Sequence, residues 1–106
     1  MTLYQILTDE DHGLKIPCVY SHFRKDGAVI EPPYVAYIGS GQDTFKADDT
    51  IYHKQNTYQI EYYFTEKNEA TESSIEEILL ANGFIYEKSE DLWIEDEGVF
   101  VIYYYV

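Results

Sequence analysis

The chain is predicted to fold as a single α+β domain, a mixed and mostly antiparallel β-sheet with two helices packed on it. Three observations predict this. Two segments space their apolar residues as helices do, Leu3, Ile6 and Leu7 in one and Ile75, Ile78 and Leu79 in the other. The segment Thr57–Thr65 alternates with period two, placing Tyr58, Ile60, Tyr62 and Phe64 on one face and Gln59, Glu61, Tyr63 and Thr65 on the other. The length of 106 residues, 45% of them hydrophobic, suits one core and not two, so 1–106 is read as one domain.

The elements follow in order. Thr2 can cap a helix over Thr2–His12, which Gly13 ends. Past Pro17, Cys18–Phe23 reads as a short strand, then Arg24–Ala28 as a turn, and Pro32-Pro33 excludes helix before a strand at Tyr34–Ile38. Gly39–Asp49 is expected to be a long loop, strand-like only at Thr44-Phe45. Ile51–Lys54 and Thr57–Thr65 are expected to pair as a hairpin through a turn at Gln55-Asn56. Asn68 caps a main helix over Glu69–Asn82, with acidic residues in its first turns where the helix dipole favours them, and Asn82-Gly83 stops it. Short strands at Phe84–Glu87 and Leu92–Glu95 are separated by a turn at Ser89-Glu90. After a tight turn at Glu97-Gly98, Val99–Val106 is apolar on both faces, which places it mid-sheet or beneath two layers, the second one a neighbouring subunit's.

Twenty acidic residues against seven basic ones leave a formal charge of −13. That balance excludes the basic footprint of a phosphate-gripping protein and disfavours an anionic membrane surface. The first residues show neither a cationic start nor an apolar run, so a signal peptide is not expected, and no segment is apolar enough to span a bilayer. The single cysteine, Cys18, cannot form an internal disulfide. Twelve tyrosines suit both a half-buried sheet surface and a protein interface.

No constellation points to catalysis, a cofactor or a metal. Gly39-Ser40-Gly41 lacks the third glycine and following helix of a dinucleotide loop, and the Lys-Ser/Thr pair of a phosphate loop. Asp43 with Asp48-Asp49, and Glu95-Asp96-Glu97, lack the alternating ligands of a calcium loop and read as solvated acidic turns. His12, His22 and His53 have no ligand spacing, and Cys18 in its apolar setting reads as an inert buried thiol.

Several stretches together resemble the small tail-terminator (tail-completion, or head–tail joining) proteins of long-tailed phages and prophages of Gram-positive bacteria. They are Pro32–Tyr37, Phe45–Asp49, Tyr52-His53-Lys54 leading into Tyr58–Tyr63, Lys67, Glu76–Leu79, Tyr86-Glu87-Lys88 and the closing Val, Ile and Tyr strand. The resemblance covers roughly residues 30–106. It implies a virion protein at the head-proximal end of the tail, made in the host cytoplasm. It also implies a ring, commonly of six copies, that caps the tail tube, docks the head connector proteins and lets DNA pass, without catalysis, cofactor, membrane contact or sequence-specific DNA binding. An acidic wall suits such a conduit, because phosphates pass it without sticking. On this reading Tyr62, Phe64, Val101, Tyr103 and Tyr105 are candidates for the contact between copies, and Gly39, Gly41, Asp43, Phe45, Asp48 and Asp49 for a loop facing the tube or the lumen. The rival reading is an acidic inhibitor such as a DNA mimic, whose carboxylates would be spaced like phosphates.

Overall fold

A computed structural model describes residues 2–20, 31–47 and 50–106, with the backbone alone for 43–47 and 50–55. The elements are α1 (Leu3–Thr8), β1 (Cys18–Tyr20), β2 (Tyr34–Ala47), β3 (Thr50–Phe64), α2 (Glu69–Ala81), β4 (Glu87–Lys88), β5 (Leu92–Ile94) and β6 (Val99–Tyr105). The strands form one sheet in the order β1-β2-β3-β6-β4, with β5 on the same flank of β6 as β4. β1 and β2 are parallel and every other pair is antiparallel, so the fold is the α+β arrangement that the sequence predicts.

Local chemistry sets the element ends. Thr2 and Gln5 cap α1 reciprocally, the Gln5 N–H donating to Thr2 Oγ1 at 3.2 Å and the Thr2 N–H to Gln5 Oε1 at 2.8 Å. The helix stops at Thr8, short of the expected His12, because the chain folds back on itself. The Gly13 N–H donates to the Asp9 carbonyl and the Leu14 N–H to the Leu7 carbonyl, both at 2.8 Å. A Cβ on residue 13 would lie 2.5 Å from the Asp9 backbone, so only glycine allows this approach. Asn68 caps α2 by accepting from the Ala70 and Thr71 N–H groups. At its far end the Phe84 N–H returns to the Leu79 carbonyl at 2.9 Å. Phe84 therefore belongs to the helix terminus, and β4 is confined to Glu87–Lys88 instead of beginning at Phe84. The predicted strand at Cys18–Phe23 is described only to Tyr20, and the turn at Arg24–Ala28 lies outside the described residues.

The largest departure from expectation is in the middle of the chain. β2 does not end at Ile38 but continues through Gly39 to Ala47, and Ile51–Lys54 and Thr57–Phe64 are one strand, β3, without a turn at Gln55-Asn56. The hairpin is β2 with β3, from Tyr34↔Tyr63 at the base to Ala47↔Thr50 at the tip. Gly39 and Gly41 mark a register shift within β2 and not the start of a loop. Gly41 takes a φ of +140°, a backbone state that side chains disfavour.

Both helices pack on one face of the sheet. There Leu3 and Leu7 of α1 and Ile75 and Leu79 of α2 meet Val35, Ile60, Tyr62, Phe64, Ile102 and Tyr104. The opposite face carries Tyr34, Ala36, Tyr63, Val99 and Val101, with Leu92, Ile94 and Tyr103 against them. Tyr34 stacks on Tyr63 with ring centroids 4.8 Å apart, and Val101 lies between Tyr63 and Leu92 across the strands. β6 is therefore central, as its sequence predicts, but its second face is closed within the subunit and does not wait for a neighbour.

This corrects three interface candidates. Tyr62, Phe64 and Val101 are only 1%, 2% and 1% exposed and serve the subunit's own core, where the twist and the large rings of neighbouring strands enclose them. Tyr103 is half-buried and Tyr105 is 45% exposed, so these two can still meet a partner. Val101→Asp is expected to abolish the fold, because it buries an unpaired carboxylate in a domain of marginal stability. Tyr105→Asp is expected to change stability by no more than about 0.5 kcal/mol. Thermal melts followed by circular dichroism separate the two outcomes.

Candidate functional site

Two features stand out: a charged network that seats α2 on the sheet, and a two-stranded arm that leaves the body. The network is built around Glu72, whose side chain is 4% exposed. Glu72 is one helical turn before Ile75 and two before Leu79, so it shares their buried stripe. Lys88 of β4 donates to Glu72 Oε1 and to Glu76 Oε2, both at 2.9 Å. Lys67 Nζ lies 2.7 Å from Glu72 Oε2, off-line for a hydrogen bond but close enough for a strong ion pair, and it also reaches Asp91 at 3.0 Å. Glu76 accepts further hydrogen bonds from the hydroxyls of Tyr104 at 2.8 Å and Tyr86 at 3.2 Å. Lys88 also lies over the Tyr104 ring, and Lys67 over that of Phe64.

The network's titration follows from these contacts. Partial burial would raise the Glu76 carboxyl, but the Lys88 ammonium and the Tyr104 hydroxyl outweigh it and hold the group below its ordinary value of 4.5. Burial opposes the charge on Lys88, yet Glu72 and Glu76 raise it above 10.5, and Glu72 does the same for Lys67. Burial, with the acceptor Glu76 beside it, pushes the Tyr104 hydroxyl well up, so it stays a donor throughout the physiological range. The arrangement fixes a helix on a sheet.

The arm is the part of the β2–β3 hairpin beyond the body. Among the described residues, β6 pairs with β3 over Gln59–Phe64, and β1 with β2 over Val35–Tyr37. From Gly41↔Thr57 outward, among the described residues, the ribbon has two strands and no third. Ser40 Oγ and Thr57 Oγ1 at 2.9 Å, and Gln42 Nε2 and Asn56 Oδ1 at 2.8 Å, tie its base. Seven residues from Gly41 to Ala47, at about 3.4 Å each, carry it roughly 24 Å. The long axis is accordingly 50 Å against 31 and 30 Å, and the radius of gyration is 15.2 Å. A compact chain of this length would have about 13 Å.

The candidate residues divide along this line. Gly39, Gly41, Asp43 and Phe45 belong to the arm's first strand, Asp43 opposite Gln55 and Phe45 opposite His53, while Asp48 and Asp49 lie outside the described residues. The arm thus gathers the four described tube or lumen candidates, as strand instead of loop. Exposed apolar side chains lie on both flanks of the sheet. Tyr4 and Tyr20 flank Tyr37 at the β1 side with centroids 6.2 and 5.3 Å away, and Trp93 of β5 and Ile85 before β4 stand 55% and 87% exposed on the other. Sequence reasoning missed Glu72, although its spacing to Ile75 and Leu79 could have marked it. It also missed Trp93 and Ile85 as surface residues.

The remaining chemical candidates stay apart. Cys18 donates weakly to the Ile16 carbonyl at 3.8 Å, and burial pushes its thiol up to about 11, far from a nucleophile. His12 lines a shallow groove of about 500 Å³ between α1 and α2 beside Asp9 and Glu77, and His22 lies outside the described residues. Among the described residues no group of three metal-ligating side chains converges.

Two outcomes test the network. Lys88→Met removes the shared cation and is expected to cost about 1–3 kcal/mol, read from urea midpoints. The pH dependence has two limbs. The depressed Glu76 contributes above the ordinary carboxylate value of 4.5, and that contribution is lost as pH falls below it. The raised lysines contribute below 10.5, and theirs is lost as pH climbs past it. Melting temperatures are thus expected to form a plateau between about pH 5 and 10, with the acid limb reduced in Glu76→Gln.

Comparison of this chain with protein-family profiles, with curated proteins and with solved structures gave no match.

Proposed function

We propose that this chain is a ring-forming structural subunit that caps the tail tube of a long-tailed phage or prophage and offers the head its docking surface. The sequence resemblance over roughly residues 30–106 supports the reading. The observation that carries it beyond resemblance is the arm. An isolated two-stranded ribbon is marginal in water, and a subunit that extends one is equipped for contact with another chain. The strong acidity fits a passage for DNA, since a wall poor in Lys and Arg releases phosphates readily. On this reading the chain is a virion component at the head-proximal end of the tail, and its partners are its own copies, the tube protein and the connector proteins of the head.

Isolated tail tubes provide the test. The chain is expected to bind one end of the tube, seen by electron microscopy and by co-sedimentation. Failure to bind tubes, together with inhibition of a nucleic-acid enzyme, would replace this reading with the DNA-mimic one. Salt gives a second measurement. At −13 per subunit a six-fold ring would carry −78, so screening is expected to favour association as ionic strength rises to ~0.15 M, where the Debye length is ~8 Å. Association that weakens with added salt, or measurable affinity for duplex DNA, would count against a ring of mutually repelling subunits around a passive conduit.

A further inference from the structure

We infer that Asn82-Gly83, at the C-terminal end of α2, is a deamidation site that stays closed while the last turn of the helix is intact, and that its conversion loosens α2 from the sheet.

The chemistry starts from the sequence. An asparagine can react with its own backbone. The amide nitrogen of the next residue attacks the side-chain carbon Cγ, its proton goes to solvent base, and ammonia leaves. The cyclic imide so formed takes up water at one of its two carbonyls. The product is aspartate or, with the main chain rerouted through Cβ and Cγ, isoaspartate. Water is the one co-reactant, and asparagine is accordingly among the residues least durable on heating. The attacking nitrogen is most accessible when it belongs to glycine, because no side chain shields it. The chain has three asparagines. Asn56 precedes Thr57, whose branched side chain crowds the nitrogen, Asn68 precedes Glu69, and Asn82 alone precedes a glycine. Asn82 and Gly83 are both exposed, so water and base reach them.

The fold withholds the reactive geometry. Ring closure needs the Gly83 nitrogen eclipsed with Cβ of Asn82, which the tetrahedral geometry at Cα places at a ψ of about −120°. Asn82 has a ψ of 15° instead. Three hydrogen bonds keep this turn closed. Asn82 Nδ2 donates to the Ile78 carbonyl at 2.8 Å, the Gly83 N–H to the Leu80 carbonyl at 3.2 Å and the Phe84 N–H to the Leu79 carbonyl at 2.9 Å. The first turns the side chain back along the helix, and the second occupies the nitrogen that must attack. Reaction therefore waits for the last turn to open, and helix ends open more readily than the core.

Conversion weakens the seat of α2 in two ways. Asn82 lines the groove between α1 and α2 together with Asp9 and Glu77. A carboxylate at this position adds to theirs, faces the negative end of the helix dipole and loses the donor to Ile78. Isoaspartate also lengthens the main chain by one carbon just before Phe84, which packs half-buried against the core and whose N–H closes the helix.

The test incubates full-length protein in mildly alkaline buffer, with and without guanidinium chloride, and follows the peptide that carries Asn82 by mass spectrometry and by its isoaspartate peak in chromatography. Opening three hydrogen bonds together holds the reactive conformer to about a tenth of the population or less, so conversion of Asn82 is expected to be at least about tenfold slower in native than in denatured protein. In the denatured chain Asn82 is expected to convert ahead of Asn56 and Asn68. Phe84→Ala removes the anchor beyond the turn and is expected to raise the native rate several-fold while leaving the denatured rate unchanged, with circular dichroism confirming that the variant is folded. Converted protein is expected to unfold at lower urea concentration than fresh protein, and Asn82→Asp to reproduce part of that shift. Equal rates in native and denatured protein, faster conversion of Asn56 or Asn68 in the denatured chain, a folded Phe84→Ala variant no faster than the wild type, or equal urea midpoints for fresh and converted protein would overturn the inference. If Phe84→Ala does not fold, the wild-type ratio of native to denatured rates decides alone whether the helix end gates the reaction.

Discussion

The structure depends on one strand with two unequal halves. Over Gln59–Phe64, β3 has β2 on one side and β6 on the other, and its inward side chains Ile60, Tyr62 and Phe64 form the floor on which both helices sit. Over Thr50–Thr57, among the described residues, the same strand has only β2. The first situation buries Ile60, Tyr62, Tyr63 and Phe64, a large aromatic area. The second leaves donors and acceptors open along the ribbon. Body and arm are thus one continuous ladder, so any force on the arm is transmitted through backbone hydrogen bonds to the centre of the core. A loop in the same place would not couple the two in this way.

The helices close that floor by different means. α1 is short and contributes Leu3, Ile6 and Leu7, with its fold-back at Gly13 fixing where it ends. α2 contributes Ile75 and Leu79 and also buries Glu72. A buried carboxylate is weak evidence for stability, since an apolar residue of similar volume often serves as well. Its value here is directional. Lys67 precedes the helix and Lys88 is on β4, so one carboxylate ties both segments to α2, and Lys67 reaches on to Asp91 just before β5. An apolar contact could tolerate a rotation of α2 that this ion pair forbids.

The body was legible in the sequence because its signals are local. Period two in Tyr58–Phe64, the Asn68 cap, the Ile75–Leu79 stripe and the doubly apolar Val99–Tyr105 each follow from a residue's immediate neighbours. The arm was not, because Gly39–Ala47 is polar and glycine-bearing and becomes strand only through its partner Thr50–Thr57. The same limitation misplaced Tyr62, Phe64 and Val101. Aromatic richness shows that a residue packs against something, but only the order of strands shows whether the neighbour is in the same chain.

Charge placement connects these features. Of seven cations, Lys67 and Lys88 are held by the α2 carboxylates, and Lys15 donates to the Glu10 carbonyl at 2.6 Å. Arg24 and Lys25 lie outside the described residues, and Lys46 and Lys54 belong to the arm. The body's basic residues with a described placement are therefore engaged at home, which leaves its surface acidic, while the arm carries two cations outward. An acidic surface repels like-charged surfaces and nucleic-acid phosphates alike. In the proposed ring, association would have to overcome this repulsion, which favours contacts made by an element that reaches past the field of its own body. A ribbon of roughly 24 Å extends about three Debye lengths at physiological ionic strength, so at its far end the charge of its own body is largely screened.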